Sequence, residues 1–125
     1  MQIVELTNLE RAKAGLPSLD ADDRLMLAAQ LHADQMAQLS EFDHVLPSAT
    51  YPTPQDRLAA AGYLWQAWAE NIAIGAATPT AAVEGWMESS GHRDNILNTQ
   101  LTELGAAFAT GAEGRIYYTQ VFGLP

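Results

Sequence analysis

Apolar residues recur every three or four positions through much of the first half of this chain, and at every second position in its last quarter. A helix repeats about every 3.6 residues and a strand every two, so helices come first and strands last. The clearest helical stripe is Leu25, Ala28, Ala29, His32, Met36 and Leu39. Asp20-Ala21-Asp22-Asp23 opens it, with carboxylates in the positive first turn, and it runs to about Ser40. In the last quarter Leu104, Ala106 and Phe108 alternate, as do Ile116, Tyr118, Gln120 and Phe122. Gly111-Ala112-Glu113-Gly114 lies between them as a turn, which makes a hairpin.

The remaining segments fit the same plan. Ile3 to Ala14 is helical by the spacing of Ile3, Leu6 and Leu9, and Gly15 closes it. Glu41 to Pro54 is a loop with three prolines. Thr53-Pro54-Gln55-Asp56 is a capping box with proline in the first turn, so a short helix runs from Pro54 to Ala61 and ends at Gly62. Trp65 to Ile74 is extended in part, with Trp68, Glu70, Ile72 and Ile74 on one face. Thr78-Pro79 starts a helix that places Val83, Trp86, Met87 and Ser90 together. Gly91 beside Ser90 is a poor helix interior, so that helix ends there and pins His92 at a junction.

A chain of 125 residues forms one domain, 1–125, large enough to bury about two-thirds of its unfolded surface without a metal or disulfide. Fifteen acidic against six basic residues leave a net charge of −9. Only Arg93 and Arg115 follow Arg57, so no basic footprint for nucleic acid or anionic membrane exists. The absence of cysteine removes disulfides and thiolate chemistry. Met1-Gln2-Ile3-Val4-Glu5 has neither the basic nor the apolar part of an export signal, and no apolar run approaches the ~20 residues of a membrane span.

Three histidines and one acid are the chemical candidates. His32 lies on an apolar stripe and reads as a hydrogen-bonded core histidine. His44 sits beside Asp43 in the proline-rich loop, and His92 follows the glycine. Glu70 is the one acid in a stretch free of charge from Leu58 to Val83, so it must find donors or shift its pKa. Backbone N–H groups are its plainest structural partners. His44, Glu70 and His92 are an acceptable zinc set by residue type, but they stand far apart in sequence and their spacing does not show whether they converge. Ser89 and His92, three apart, form a weak nucleophile–base pair without an orienting acid. Tyr117 and Tyr118 read as strand packing, and the three tryptophans as core, with Trp65 partly exposed.

The ordered set Asn8-Leu9-Glu10-Arg11, Gly15-Leu16-Pro17-Ser18-Leu19, His32-Ala33, His44, Ala69-Glu70-Asn71-Ile72-Ala73, Trp86 through Leu97 and Tyr118-Thr119-Gln120-Val121-Phe122-Gly123 resembles the CAP superfamily. That superfamily holds cysteine-rich secretory proteins, antigen 5 and pathogenesis-related proteins, and the chain is most similar to its compact bacterial, SCP-like branch. The resemblance implies an α-β-α sandwich around a central, largely antiparallel sheet. It also implies a cleft gathering two histidines and two glutamates, which bind zinc in some eukaryotic members. His44 and Glu70 match the first of each. Ser89 stands where the second glutamate would be, and Tyr117 where the second histidine would be. His92 is the bacterial branch's contribution.

On this basis the expected function is a non-enzymatic, extracellular or cell-envelope domain, a monomer, that binds a small-molecule or peptide ligand, lipids included. The expected cleft residues are His44, Glu70, Ser89, His92 and Tyr117. Two expectations compete with it: a metal-assisted hydrolase of peptide or cell-wall material, with zinc on His44, Glu70 and His92, and a purely structural polar cluster in which Glu70 bridges loop and helix.

Overall fold

The computed structural model describes residues 2–125. The element order is α1 (Gln2–Lys13), β1 (Asp20–Ala21), α2 (Asp23–Leu39), α3 (Pro54–Ala60), β2 (Ala67–Ile74), α4 (Pro79–Met87), α5 (Ser90–Ile96), β3 (Glu103–Thr110) and β4 (Ile116–Leu124). The four strands form one sheet in the order β1-β3-β4-β2. β4 pairs antiparallel with both β3 and β2, and β1 runs parallel to β3. The fold is therefore α+β with a largely antiparallel centre, as the resemblance implied.

The two faces of the sheet are covered by different helices. Leu104, Ala106, Tyr118 and Phe122 point one way, into a core with Ile3 and Val4 of α1, Val83 and Trp86 of α4 and Ile96 of α5. Ala107 and Val121 point the other way, against Leu25, Ala28 and Ala29 of α2 and Leu58 of α3. Successive strand residues thus serve opposite layers, and the sheet is buried on both sides.

Local signals explain most boundaries. The Asp22 carboxylate caps α2 by accepting from the N–H groups of Arg24 and Leu25. Thr53 and Asp56 form the reciprocal capping box of α3, with Pro54 in the first turn. Thr78 caps α4, again followed by proline. Gly15 and Gly62 follow α1 and α3 with φ of +75° and +76°, where a side chain would be strained.

Three sequence expectations change. Asp20 and Ala21 are not helix but the strand β1, and the helix begins at Asp23. Two residues are too short to show a period, and their pairing with Glu103 and Leu104 is long-range. The break after Trp86 falls at Glu88–Ser89 rather than at Gly91. Gly91 and His92 lie in the first turn of α5, where glycine costs little because the first N–H groups have no intrahelical partner anyway. Ser90 accordingly belongs to α5 and not to the face shared by Val83 and Trp86. At the end of the α2 stripe Leu39 is partly exposed, next to Ser40 in the left-handed cap.

One glycine sets the distance between α2 and the sheet. A Cβ built on Gly105 would lie 2.1 Å from the Leu25 carbonyl carbon and 2.3 Å from the Met26 nitrogen. The α2 backbone therefore rests on the β3 backbone itself. Gly105→Ala should lower unfolding stability by about 2–3 kcal/mol, since helix and strand must separate. Gly85→Ala on α4, with nothing within 4 Å of the added carbon, should be neutral or stabilising by up to ~1 kcal/mol. Urea denaturation of both variants checks this, and similar losses in both would contradict it.

Candidate functional site

β2 carries the motif Glu70-Asn71-Ile72, and each residue holds a different part of the molecule. The Glu70 side chain points into the α2 layer and is almost fully buried. His44 Nδ1–H donates to Glu70 Oε1 at 2.8 Å, and Arg57 Nη2 donates to both carboxylate oxygens at 3.3 and 3.1 Å. The Arg57 guanidinium, itself buried, also donates to the carbonyls of His44, Tyr51 and Pro52. One ion pair thus joins β2, α3 and the loop between α2 and α3. Desolvation makes such a pair costly unless its remaining hydrogens are satisfied, and here the loop carbonyls satisfy them.

His32 completes this cluster from α2. Its Nε2 is 3.7 Å from Glu70 Oε1, and neither ring nitrogen makes a hydrogen bond. The expected hydrogen-bonded core histidine is therefore fully buried but unpartnered. Burial pushes its pKa down to about 4, despite the carboxylate beside it. His44 behaves oppositely: the hydrogen bond to Glu70 raises its pKa, and partial burial only reduces that effect. Burial alone would raise the pKa of Glu70. The His44 hydrogen bond and the Arg57 charge outweigh it and hold the carboxyl below the usual range.

Asn71 faces the other layer. Its Nδ2 donates to the Gln120 side chain at 2.9 Å and to the His92 carbonyl at 3.1 Å. Asn95 Nδ2 donates to Asn71 Oδ1 at 2.8 Å, and Gln120 Nε2 donates to Thr7 Oγ1 on α1. This buried amide network seats α5, and with it His92, against β2. Ile72 acts through its backbone: Trp86 Nε1 donates to its carbonyl at 2.9 Å and fastens α4.

Beyond these fastenings an open groove of about 480 Å³ lies between β2 and the helices. Ile72 through Ala76 form one wall, and Ala81, Ala82, Gly85 and Trp86 the other. Ser89 and His92 close one side. The His92 pKa is lowered by burial and then by the charge on nearby His44, so the ring is a neutral donor and acceptor at pH 7.

The sequence-derived candidates therefore separate. His44 and Glu70 meet directly. Ser89 and His92 line the groove. Tyr117 does neither: it packs with Met36, Leu46 and Ile72 in the core at 2% exposure. The zinc set does not fit this arrangement. Glu70 Oε1 is taken by His44 itself, and the Arg57 cation lies against both carboxylate oxygens, where a metal would be repelled. Among the described residues no three His, Asp or Glu side chains converge as a metal site. Arg57 and His32 were missed as members of the cluster. Glu70's isolation among apolar residues was the signal that a buried cation must come to it. Arg57, just behind the α3 cap, is the last cation before it in the chain. The partners are side chains, not the backbone N–H groups expected.

The opposed shifts predict a pH profile. A native His32 that stays neutral makes the protein lose stability as pH falls from about 6.5 toward 4, by a total on the order of 3 kcal/mol. Glu70 adds further loss as pH falls through its lowered pKa. His44, raised, stabilises below its unfolded value and loses that contribution as pH climbs through its native pKa. Urea midpoints from pH 4.5 to 8.5 should peak near neutrality, and His32→Leu should flatten the arm between pH 6.5 and 4.5. An unchanged acid arm would contradict this account.

The sequence matches the model of the Cysteine-rich secretory protein family, CAP, over residues 4–122. It is 39% identical over 122 residues to the uncharacterized protein YkwD of Bacillus subtilis (strain 168), covering 98% of this chain and 46% of that protein. It is 40% identical over 121 residues to the uncharacterized membrane protein YlbC of the same organism, covering 97% of this chain and 33% of YlbC. The chain thus spans less than half the length of these curated relatives. An extracellular protein containing a SCP domain from Bacillus anthracis str. Ames superposes with a TM-score of 0.88 at 36% identity, over 99% of this chain and 39% of that one. An outer surface protein from Borrelia burgdorferi reaches 0.85 at 21% identity, over 97% and 88%, a likeness of fold.

Proposed function

The chain belongs to the CAP family, the cysteine-rich secretory proteins, and from that premise we propose that it is a non-enzymatic ligand-binding domain of the cell exterior or envelope. The groove beside β2 is its binding site, with Ser89 and His92 as the polar groups that orient the ligand. The observation that carries this reading is the division of labour along β2. Glu70 is committed to His44 and Arg57, so its carboxylate is not free to act as a general base or metal ligand. The adjacent groove is mostly apolar with two polar residues on one side, the usual composition of a small-ligand site.

Likeness to an extracellular SCP-domain protein supports the location. No helix among the described residues is long and apolar enough to cross a membrane. His44 contributes indirectly, by holding the loop and by its charge on His92.

Titration of 15N-labelled protein with palmitate and with short blocked peptides should give saturable shifts at Ala73, Ala76, Ala81 and Ser89. His92→Ala should weaken the binding that is found by roughly fivefold, the loss of one hydrogen bond, without lowering the melting temperature. Saturable shifts confined to other surfaces would contradict the site.

A further inference from the structure

We infer that the ligand is an extended peptide, which adds to the outer edge of β2 as a further strand. This rests on the groove being the binding site and names what the groove recognises. β2 is an edge strand. The Gly75 N–H donates to the Ile116 carbonyl, in register with the Ile74↔Tyr117 pairing. In an antiparallel ladder residues alternate between facing the partner and facing away. Residues 67, 69, 71 and 73 therefore bond to β4, while Trp68, Glu70, Ile72 and Ile74 turn their N–H and C=O groups outward.

Two of those outward carbonyls are already taken. Asn95 Nδ2 donates to the Glu70 carbonyl and Trp86 Nε1 to that of Ile72. The side-chain capping stops at Ile72, where the groove opens. The Ile72 N–H and both backbone groups of Ile74 have no partner among the described residues. Ile72 through Ala76 form one continuous wall of the groove. A wall that offers a donor and an acceptor from one residue is complementary to the donor and acceptor of one peptide residue. A hydrocarbon chain in the same place would cover those groups and leave them unpaired, which disfavours it.

The opposite wall suits the side chains of such a strand. Ala81, Ala82 and Gly85 keep α4 low where it faces β2. Gly85 sits inside a helix, where glycine is unfavourable, and no neighbour requires it: a Cβ there would meet nothing within 4 Å. Alternate side chains of the added strand would enter this space, with His92 and Ser89 beside it.

The test uses 15N-labelled protein and three probes: acetyl-Thr-Val-Thr-Val-Thr-amide, the same peptide N-methylated at every residue, and palmitate. The unmodified peptide should move the Ile72 and Ile74 amide signals and slow exchange of the Ile74 amide at least tenfold. N-methylation should weaken binding at least tenfold. Gly85→Leu, which places a side chain on the groove wall where an added Cβ meets nothing within 4 Å, should abolish binding with an unchanged circular dichroism spectrum. Equal binding of the methylated peptide would overturn the strand-addition claim. Binding of palmitate alone, blocked by Gly85→Leu, would overturn the peptide and keep the groove. If none of the three probes moves a groove amide, both readings fall.

Discussion

The ion pair between Glu70 and Arg57 is the contact that fixes the loop between α2 and α3 and, through it, one side of the candidate site. Both groups are buried, so each is tolerable only in the presence of the other. Because Arg57 also donates to the carbonyls of His44, Tyr51 and Pro52, the pair turns an irregular, proline-rich loop into a fixed layer over β2. His44 follows as a consequence: its backbone is held by Arg57 and its ring by Glu70. The acid that a family resemblance marks for a functional cleft is, in this chain, the anchor of a loop.

Neighbouring residues of the same strand do comparable work in other directions. Alternation in a strand sends Glu70 to one layer and Asn71 to the other, while the Ile72 carbonyl points out of the sheet edge to Trp86. Three consecutive residues, Glu70 to Ile72, therefore join a helical layer on each face, and beside the groove the edge is free where these contacts end. The groove is what remains where α4 and the edge part. On the other side of the sheet α2 rests directly on β3 at Gly105, because no side chain intervenes there.

Much of the fold was legible because its signals are local. The α2 stripe, the Thr53 box, the Thr78-Pro79 start and the alternation of β3 and β4 each lie within a short window. β1 was not legible, because two residues have no period and their partner lies some eighty positions away. The Trp86 helix was placed to end at glycine, when the change of direction occurs two residues earlier. The site was legible in part. His44 and Glu70 were matched through resemblance, and they do meet. Their joint role depends on Arg57 and His32, which reach Glu70 from different helices, and no spacing rule links residues 32, 44, 57 and 70. Tyr117 was named for its alignment to a histidine, but an aromatic ring on that inward strand position packs into the core.

If the Glu70 carboxylate tethers the loop, removing its charge frees the loop and leaves the β2 edge undisturbed. Native-state hydrogen exchange on Glu70→Gln tests this tether most directly, because the change keeps the side chain's shape and removes its charge. The expected result is a global loss of about 3–5 kcal/mol, from an Arg57 left buried and unpaired. The Leu46 and Tyr51 amides, which bond to the Pro52 carbonyl and the Gln35 side chain, should also open locally and lose the most protection, while the Ile74 amide keeps its chemical shift. A variant whose loop amides stay as protected as the β3 core, or whose Ile74 signal moves while the loop does not, would contradict the tether.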